Sequence, residues 1–445
     1  MRHDGALRRL VRHNGAALIL AAGLFALVYK VVFNFRLGDS DYIDHMVWAL
    51  GMDWKNVLAV FTKGSERLWN IFVFIVMRLG VRNSWKAVAL VTAAADTVAY
   101  FIVYKTFDRA LPEKFPRWLT ALVTAAVFVA SAITWPGGSF YSGRGAVNTW
   151  HNPTNIMVRP FAAAVFYMTV NIYNRRRFGQ HTALVIDPPA DSGFSFEGGF
   201  FRQFRQPVYK THELILYPVC LLLSTYAKPS FLQVFAPAIF VLLVIDVIRT
   251  KGMLLPFCIK LALAYVPAAF IVLKQFLWFF DGNVTVASTP AAAEAVASQS
   301  WGMAIYYIRT SFDSVGQLLG ETGQYWLMTA LLCAFPLFIL LIAPRRGFGS
   351  VSMRLGFITV IAARLETMFL HETGSRSWHG NFSWGYYIAV WLFFTAAVGH
   401  YLTLLPEKTT AGKLARWGGT ALLAWHVVSG AVYVAMILRT GYYTY

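Results

Sequence analysis

The chain has 445 residues, 57% of them hydrophobic and only 13% charged, with a mean hydropathy of +0.52. That composition excludes a soluble globular fold, because apolar runs of about 18 to 25 residues recur as membrane-crossing helices require. The net charge of +18 does not signal nucleic acid, since the basic residues gather in short loops between apolar runs, a pattern of membrane topology.

The sequence predicts an all-α fold: a polytopic transmembrane helical bundle forming one integral membrane domain over 1–445, with about 11 spans and possibly 12. Arg2, Arg8, Arg9 and Arg12 precede an apolar run at 16–35. The run is too long for a signal peptide and lacks a small-residue cleavage site, so a retained first helix with a cytoplasmic N-terminus is expected. Further spans are read at 87–104, 118–135, 155–173, 212–227, 231–248, 254–280, 326–343, 351–370, 384–404 and 416–438. Between them, basic residues fall on alternate sides. Lys105 with Arg109, Lys114 and Arg117, then Arg175 to Arg177, Arg249 with Lys251, Arg345 with Arg346, and Lys408 with Lys413 mark the cytoplasmic loops. The apolar segment 68–79 is short and is read as an interfacial or re-entrant helix. Cys220, Cys258 and Cys333 all lie in apolar spans and are expected as free thiols, with neither a disulfide framework nor a metal site.

The first extracytoplasmic loop, 36–86, opens with Gly38-Asp39-Ser40-Asp41-Tyr42-Ile43-Asp44-His45. Three carboxylates and an imidazole crowd seven residues in a chain with only 21 acidic side chains. At a bilayer edge they can meet the polar head of a lipid-linked substrate, with Asp39, Asp41, Asp44 and His45 as candidate catalytic groups. A carboxylate there can act as general base, and Asp39 with Asp41 can offer oxygen ligands to a divalent cation such as magnesium or manganese. A hydrated acidic loop is the plain structural alternative.

On the same side lie Trp150-His151-Asn152-Pro153-Thr154, Lys228-Pro229-Ser230-Phe231, the long loop 281–325, and the stretch 371–384. Asn-Pro makes a turn beside an aromatic, so His151 and Asn152 are candidate substrate-binding residues. Lys228 precedes a proline that can break the helix and free backbone amides, and with Arg159 it is read as a cation for phosphate. Glu372, Arg376 and His379 crowd the last stretch. Arginine can hold phosphate oxygens bidentately, with His379 beside it, Glu372 handling a proton and Trp378 offering a sugar-stacking face. An aromatic belt with snorkelling charges is the bland alternative there. Arg364 and Glu366, just inside the preceding span, are read as an internal ion pair. Asp96, amid alanines, is expected to face the bundle interior with a partner.

A basic N-terminus, one helix, an Asp-rich loop (Asp39, Asp41, Asp44, His45) and the amphipathic stretch Glu66-Arg67-Leu68-Trp69-Asn70 resemble the start of GT-C glycosyltransferases. The likeness covers roughly the first 110 residues, and the many-helix layout extends it loosely. It implies a polyprenyl-phosphate or polyprenyl-diphosphate sugar donor, a glycan or lipid-linked acceptor, and a first-loop acid as base or metal ligand, best matched by Asp39 or Asp41. The motifs His151-Asn152-Pro153-Thr154, Lys228-Pro229-Ser230-Phe231 and Glu372-Thr373-Gly374-Ser375-Arg376 look like those of bacterial membrane proteins of surface-polysaccharide pathways, some described as polymerases. The chain departs from well-known GT-C branches in lacking a large C-terminal soluble domain. The expected setting is a bacterial plasma membrane with the active face extracytoplasmic. An O-antigen-type polymerase or ligase, metal-independent and centred on Glu372, Arg376 and His379, is the nearest alternative. A lipid-linked sugar flippase or transporter is the alternative of another class, with Asp96 its best witness and the lack of a visible internal repeat against it.

Overall fold

The computed structural model describes residues 2–38, 40–63, 67–132, 148–179, 194, 196, 199–280, 284–286, 303–305, 315–372 and 381–442. Helices dominate. In a bilayer every backbone amide must be satisfied within its own segment, and helices achieve this without a partner strand. Six helices among the described residues are long and apolar enough to cross a membrane. They cover Asn14–Leu37, the end of α1 (Arg2–Asn34); α5 (Ser84–Ala110); α7 (Pro153–Phe178); α10 (Ser230–Arg249); α17 (Trp384–Leu404); and Thr410–Thr440, which runs from α18 (Thr410–Leu414) through a π-turn into α19 (Thr420–Thr440).

Two further spans are broken. Leu255–Leu263 (α11) meets α12 (Val266–Phe280) at 55°, and α13 (Val315–Leu332) meets α14 (Ala334–Ile342) at 74°. Pro267 and Pro336 sit just after the two breaks, where a missing N–H costs least. Counting each bent pair as one gives up to eight spans. The three remaining apolar runs of the sequence also fold as helices: α6 (Arg117–Val129, 13 residues), α9 (Thr211–Ala227, 17 residues) and α16 (Val351–Phe369, 19 residues). The first is about 20 Å long against a core of about 30 Å, so it crosses only where the bilayer thins or the chain beyond it completes the span. The third carries Arg354, Arg364 and Glu366.

α17 is the axis of the bundle, with every residue buried, and α6, α7, α10, α14 and α16 pack around it. α1 packs along α5 and touches α19. The Asn34 amide donates to the carbonyls of Ile437 and Leu438 at 2.6 and 3.2 Å, so the C-terminal ends of α1 and α19 emerge on one face. Glycines permit the closest helix approaches. A Cβ on Gly385 would stand 2.8 Å from the Ser230 carbonyl, and one on Gly430 would strike the Val129 carbonyl.

The segment read as interfacial or re-entrant is α4 (Leu68–Arg78), packed against α2 (Tyr42–Leu50), α5, α7 and α9. α2 and α3 (Trp54–Lys63) are shorter still and expose Trp48, Trp54 and Leu58. One element was not expected. β1 (Val284–Val286) runs parallel to β2 (Met303–Ile305), which pairs antiparallel with β3 (Leu370–Glu372). This small sheet fastens the long loop to the end of α16. Cys220, Cys258 and Cys333 are free.

Candidate functional site

The first-loop, Trp-His-Asn-Pro-Thr and Lys228 motifs converge at helix ends on one face. Asn152 caps α7: its Oδ1 accepts from the Asn155 amide at 2.8 Å, and Pro153 at the first helical position needs no donor. The same side chain is the middle of a relay. Lys228 Nζ donates to Thr154 Oγ1 at 2.9 Å, and Thr154 donates in turn to Asn152 Oδ1 at 2.9 Å. Asn152 Nδ2 then donates to Asp41 Oδ2 at 2.5 Å. A cation and a carboxylate, 187 residues apart in sequence (228 − 41), are thus joined through two neutral side chains.

Aromatics wall this relay. Lys228 Nζ lies 5.1 Å from the Trp384 ring centre, and the His151 ring lies 5.5 Å from the same indole. His45 packs between Trp48 at 5.3 Å and Trp69 at 6.0 Å, and its backbone carbonyl accepts from Asn70 Nδ2 at 2.5 Å. Tyr42 donates to the Trp150 carbonyl at 2.9 Å and tethers the first loop to the Trp-His-Asn-Pro turn. Burial, followed by the positive charge of Lys228, pushes both His45 and His151 down to about 3. Both imidazoles are therefore neutral near pH 7 and weakly basic. They can shape the site and donate a hydrogen bond, and Asp41 is the carboxylate the relay holds beside them.

The residues singled out in the sequence are distributed as follows. Asp41, His45, His151, Asn152 and Lys228 come together. Asp44 is exposed on α2. Glu372 is buried at the end of β3, opposite Met303. Asp39, Arg376, Trp378 and His379 lie outside the described residues. Among the described residues no three His, Cys, Asp or Glu side chains are grouped to hold a metal ion.

Two expectations are corrected. Arg159 does not join the phosphate-facing cations: its Nη1 sits 2.7 Å from Asp96 Oδ1, both side chains buried, beneath an indole face of Trp391. A charge deep in a bilayer protein needs such a partner, and Asp96 has one, as expected. Arg364 and Glu366 are not paired. Two positions apart on α16 they point to different sides. Arg364 donates from Nε to Thr329 Oγ1 at 2.8 Å and lies over the Tyr386 ring at 3.8 Å.

Glu366 is the functional candidate that sequence reasoning passed over. Its Oε2 is buried with no hydrogen-bond partner among the described residues. That oxygen is 3.5 Å from where a Cβ on Gly385 would stand, next to the Trp384 that lines the site. The available signal was the helical spacing itself, which forbids the i, i+2 pair and leaves the carboxylate to another purpose.

Compared with protein-family models, curated proteins and solved structures, the chain matches none of them.

Proposed function

We propose that this chain is a membrane glycosyltransferase of GT-C type. It moves a sugar from a polyprenyl-phosphate or polyprenyl-diphosphate donor to an extracytoplasmic glycan or lipid-linked acceptor in cell-surface polysaccharide synthesis. The observation that carries this reading is the relay from Lys228 through Thr154 and Asn152 to Asp41, set at helix ends beside indole faces. Eleven crossings are proposed with it, supported by the folding of all eleven predicted runs as helices or bent pairs, and by the shared face of the α1 and α19 ends.

In the proposed step the acceptor hydroxyl oxygen attacks the anomeric carbon. The bond from that carbon to the phosphate oxygen breaks, and its electron pair leaves with the lipid phosphate. Asp41 takes the hydroxyl proton, oriented by Asn152. Lys228 stabilises the departing phosphate, with Arg376 as the second proposed cation. Phosphate is a good leaving group, so a general acid is not required. Trp384 and its neighbours supply the apolar faces on which a sugar ring stacks. A transporter draws less support, because Asp96 is held by Arg159 in a buried pair.

Transfer from a panel of polyprenyl-linked sugars to lipid-linked acceptors, by purified wild type and Arg376→Ala with and without EDTA, tests the assignment. Turnover with any donor supports it. Donor binding without transfer across the whole panel refutes it in favour of a flippase.

A further inference from the structure

Arg364, near the end of α16, is only 6% exposed, so its guanidinium lies away from bulk water. Its Nε donates to Thr329 Oγ1 of α13 at 2.8 Å, and the group lies over the Tyr386 ring at 3.8 Å, with the Tyr325 ring at 5.6 Å. Thr329 is itself held: it donates to the Tyr325 carbonyl at 2.9 Å and accepts from the Tyr386 hydroxyl at 3.2 Å. The fork is thus fixed at one nitrogen and faced by rings.

The remaining N–H donors, on Nη1 and Nη2, make no hydrogen bond among the described residues, and no carboxylate there stands within ion-pair reach. Glu366, two positions on, turns toward Gly385 instead. Elsewhere buried arginines are answered: Arg159 meets Asp96, and Arg175 meets Glu213. Arg202, on the short α8 (Phe200–Gln203), is exposed and has water. A buried guanidinium without a carboxylate is costly in a bilayer protein, and the C-terminal dipole of α16 offsets only part of that cost. An anion from outside the chain completes the balance.

Two features narrow the choice of anion. Trp384 and Tyr386, two positions apart at the start of α17, point to different sides of a helix about 10 Å across. Lys228 lies against the first ring and Arg364 against the second, so the two cations serve separate flanks. Arg364 also stands at the outer margin of the bundle. Leu365 beside it is 41% exposed, and Leu327, two positions before Thr329, is 59% exposed. A guanidinium fork matches phosphate oxygens, and the leucines give an apolar tail a path along the outside of the bundle.

We propose that Arg364 holds the phosphate of a second lipid-linked substrate, on the flank of α17 away from Lys228. Given the donor reading above, on which this assignment rests, the acceptor, like the donor, carries its sugar on a lipid phosphate.

The test is binding of labelled farnesyl phosphate to the purified full chain in detergent, with farnesol, inorganic phosphate and phosphatidylglycerol as competitors. Wild type should bind one equivalent per chain more than Arg364→Gln. Arg364→Lys keeps the charge but not the fork, and should bind at this site about tenfold more weakly. Lys228→Gln should lose the other equivalent and keep this one. If it loses none while Arg364→Gln loses one, the donor reading fails and the Arg364 site stands. Equal uptake by wild type and Arg364→Gln overturns the proposal. So does displacement by any of the three competitors as effective as by unlabelled farnesyl phosphate. Wild-type affinity in Arg364→Lys overturns it too, and decides the matter if Arg364→Gln does not fold.

Discussion

On one face of the bundle Lys228 and Asp41 are joined through Thr154 and Asn152; on the other, acid meets base directly. There Arg175 grips Glu213, Arg346 grips Glu407, and Asp246 is shared by Tyr173, Arg249 and Arg354. A direct pair satisfies both charges and fixes helix ends. A cation and a carboxylate held apart by neutral groups are positioned without cancelling each other, which suits a substrate that brings a hydroxyl to one end and a phosphate to the other. The same types of residue thus read as chemistry on one face and as anchorage on the other.

The sharpest way to break the contrast is at the acid. Asp41→Asn removes the base but keeps the size and a hydrogen-bonding side chain, so transfer should fall by about 10²- to 10⁴-fold, measured as turnover at saturating donor. A fall of less than tenfold would put Asp41 among the structural acids.

Next comes the buried pair that resembles the anchoring face although it lies within the bundle. Arg159→Met strands Asp96 and should cost about 3–5 kcal/mol, whereas Arg159→Met with Asp96→Leu should recover most of that. Melting temperatures of the two single variants and the double variant decide it. A double variant as unstable as the worse single would mean that the pair serves something beyond neutralising itself.

A smaller effect is expected at the helix crossing that holds the indole in place. Gly385→Ala presses a methyl against the Ser230 carbonyl and Val234 and should cost about 1–3 kcal/mol in stability. It should lower donor affinity as well, because Trp384 and Lys228 flank that crossing. Wild-type stability with unchanged affinity would show that the approach is loose.

The last effect is in pH dependence, read as a slope rather than as a loss at one pH. His151 is buried and neutral, with its folded value far below that of an unfolded histidine. The unfolded chain therefore binds the extra proton first. The stability contribution is full above about 6.5 and is lost progressively as pH falls from there toward about 3. His151→Gln should flatten that part of the curve, with melting followed from pH 7 to pH 4. An unchanged slope would mean that His151 charges freely in the folded protein.

The apolar runs were legible because hydropathy and length mark helices, and the runs fold as helices or bent pairs, six to eight of them among the described residues long and apolar enough to cross a membrane. Asp41, His151, Asn152 and Lys228 stood out because a polar residue beside a proline, or at the end of an apolar run, is unusual. Their connection was not legible. Thr154 and Asn152 look like ordinary capping residues, and only the fold sets Lys228 and Asp41 at their two ends. Likewise Asp96 advertised the need for a partner, but not that Arg159, 63 positions away, would meet it. The bends before Pro267 and Pro336, and the small sheet tying 284–286 to 370–372, depend on long-range packing that periodicity does not encode.

The most direct test separates the two ends of the relay. Donor affinity and single-turnover transfer are measured on wild type, Asp41→Asn and Lys228→Gln with one active polyprenyl-linked sugar. Asp41→Asn is expected to bind the donor as wild type does but to transfer far more slowly, while Lys228→Gln is expected to lose donor affinity as well as rate. Wild-type affinity and rate in both variants would contradict it, and the relay would then be one more anchor.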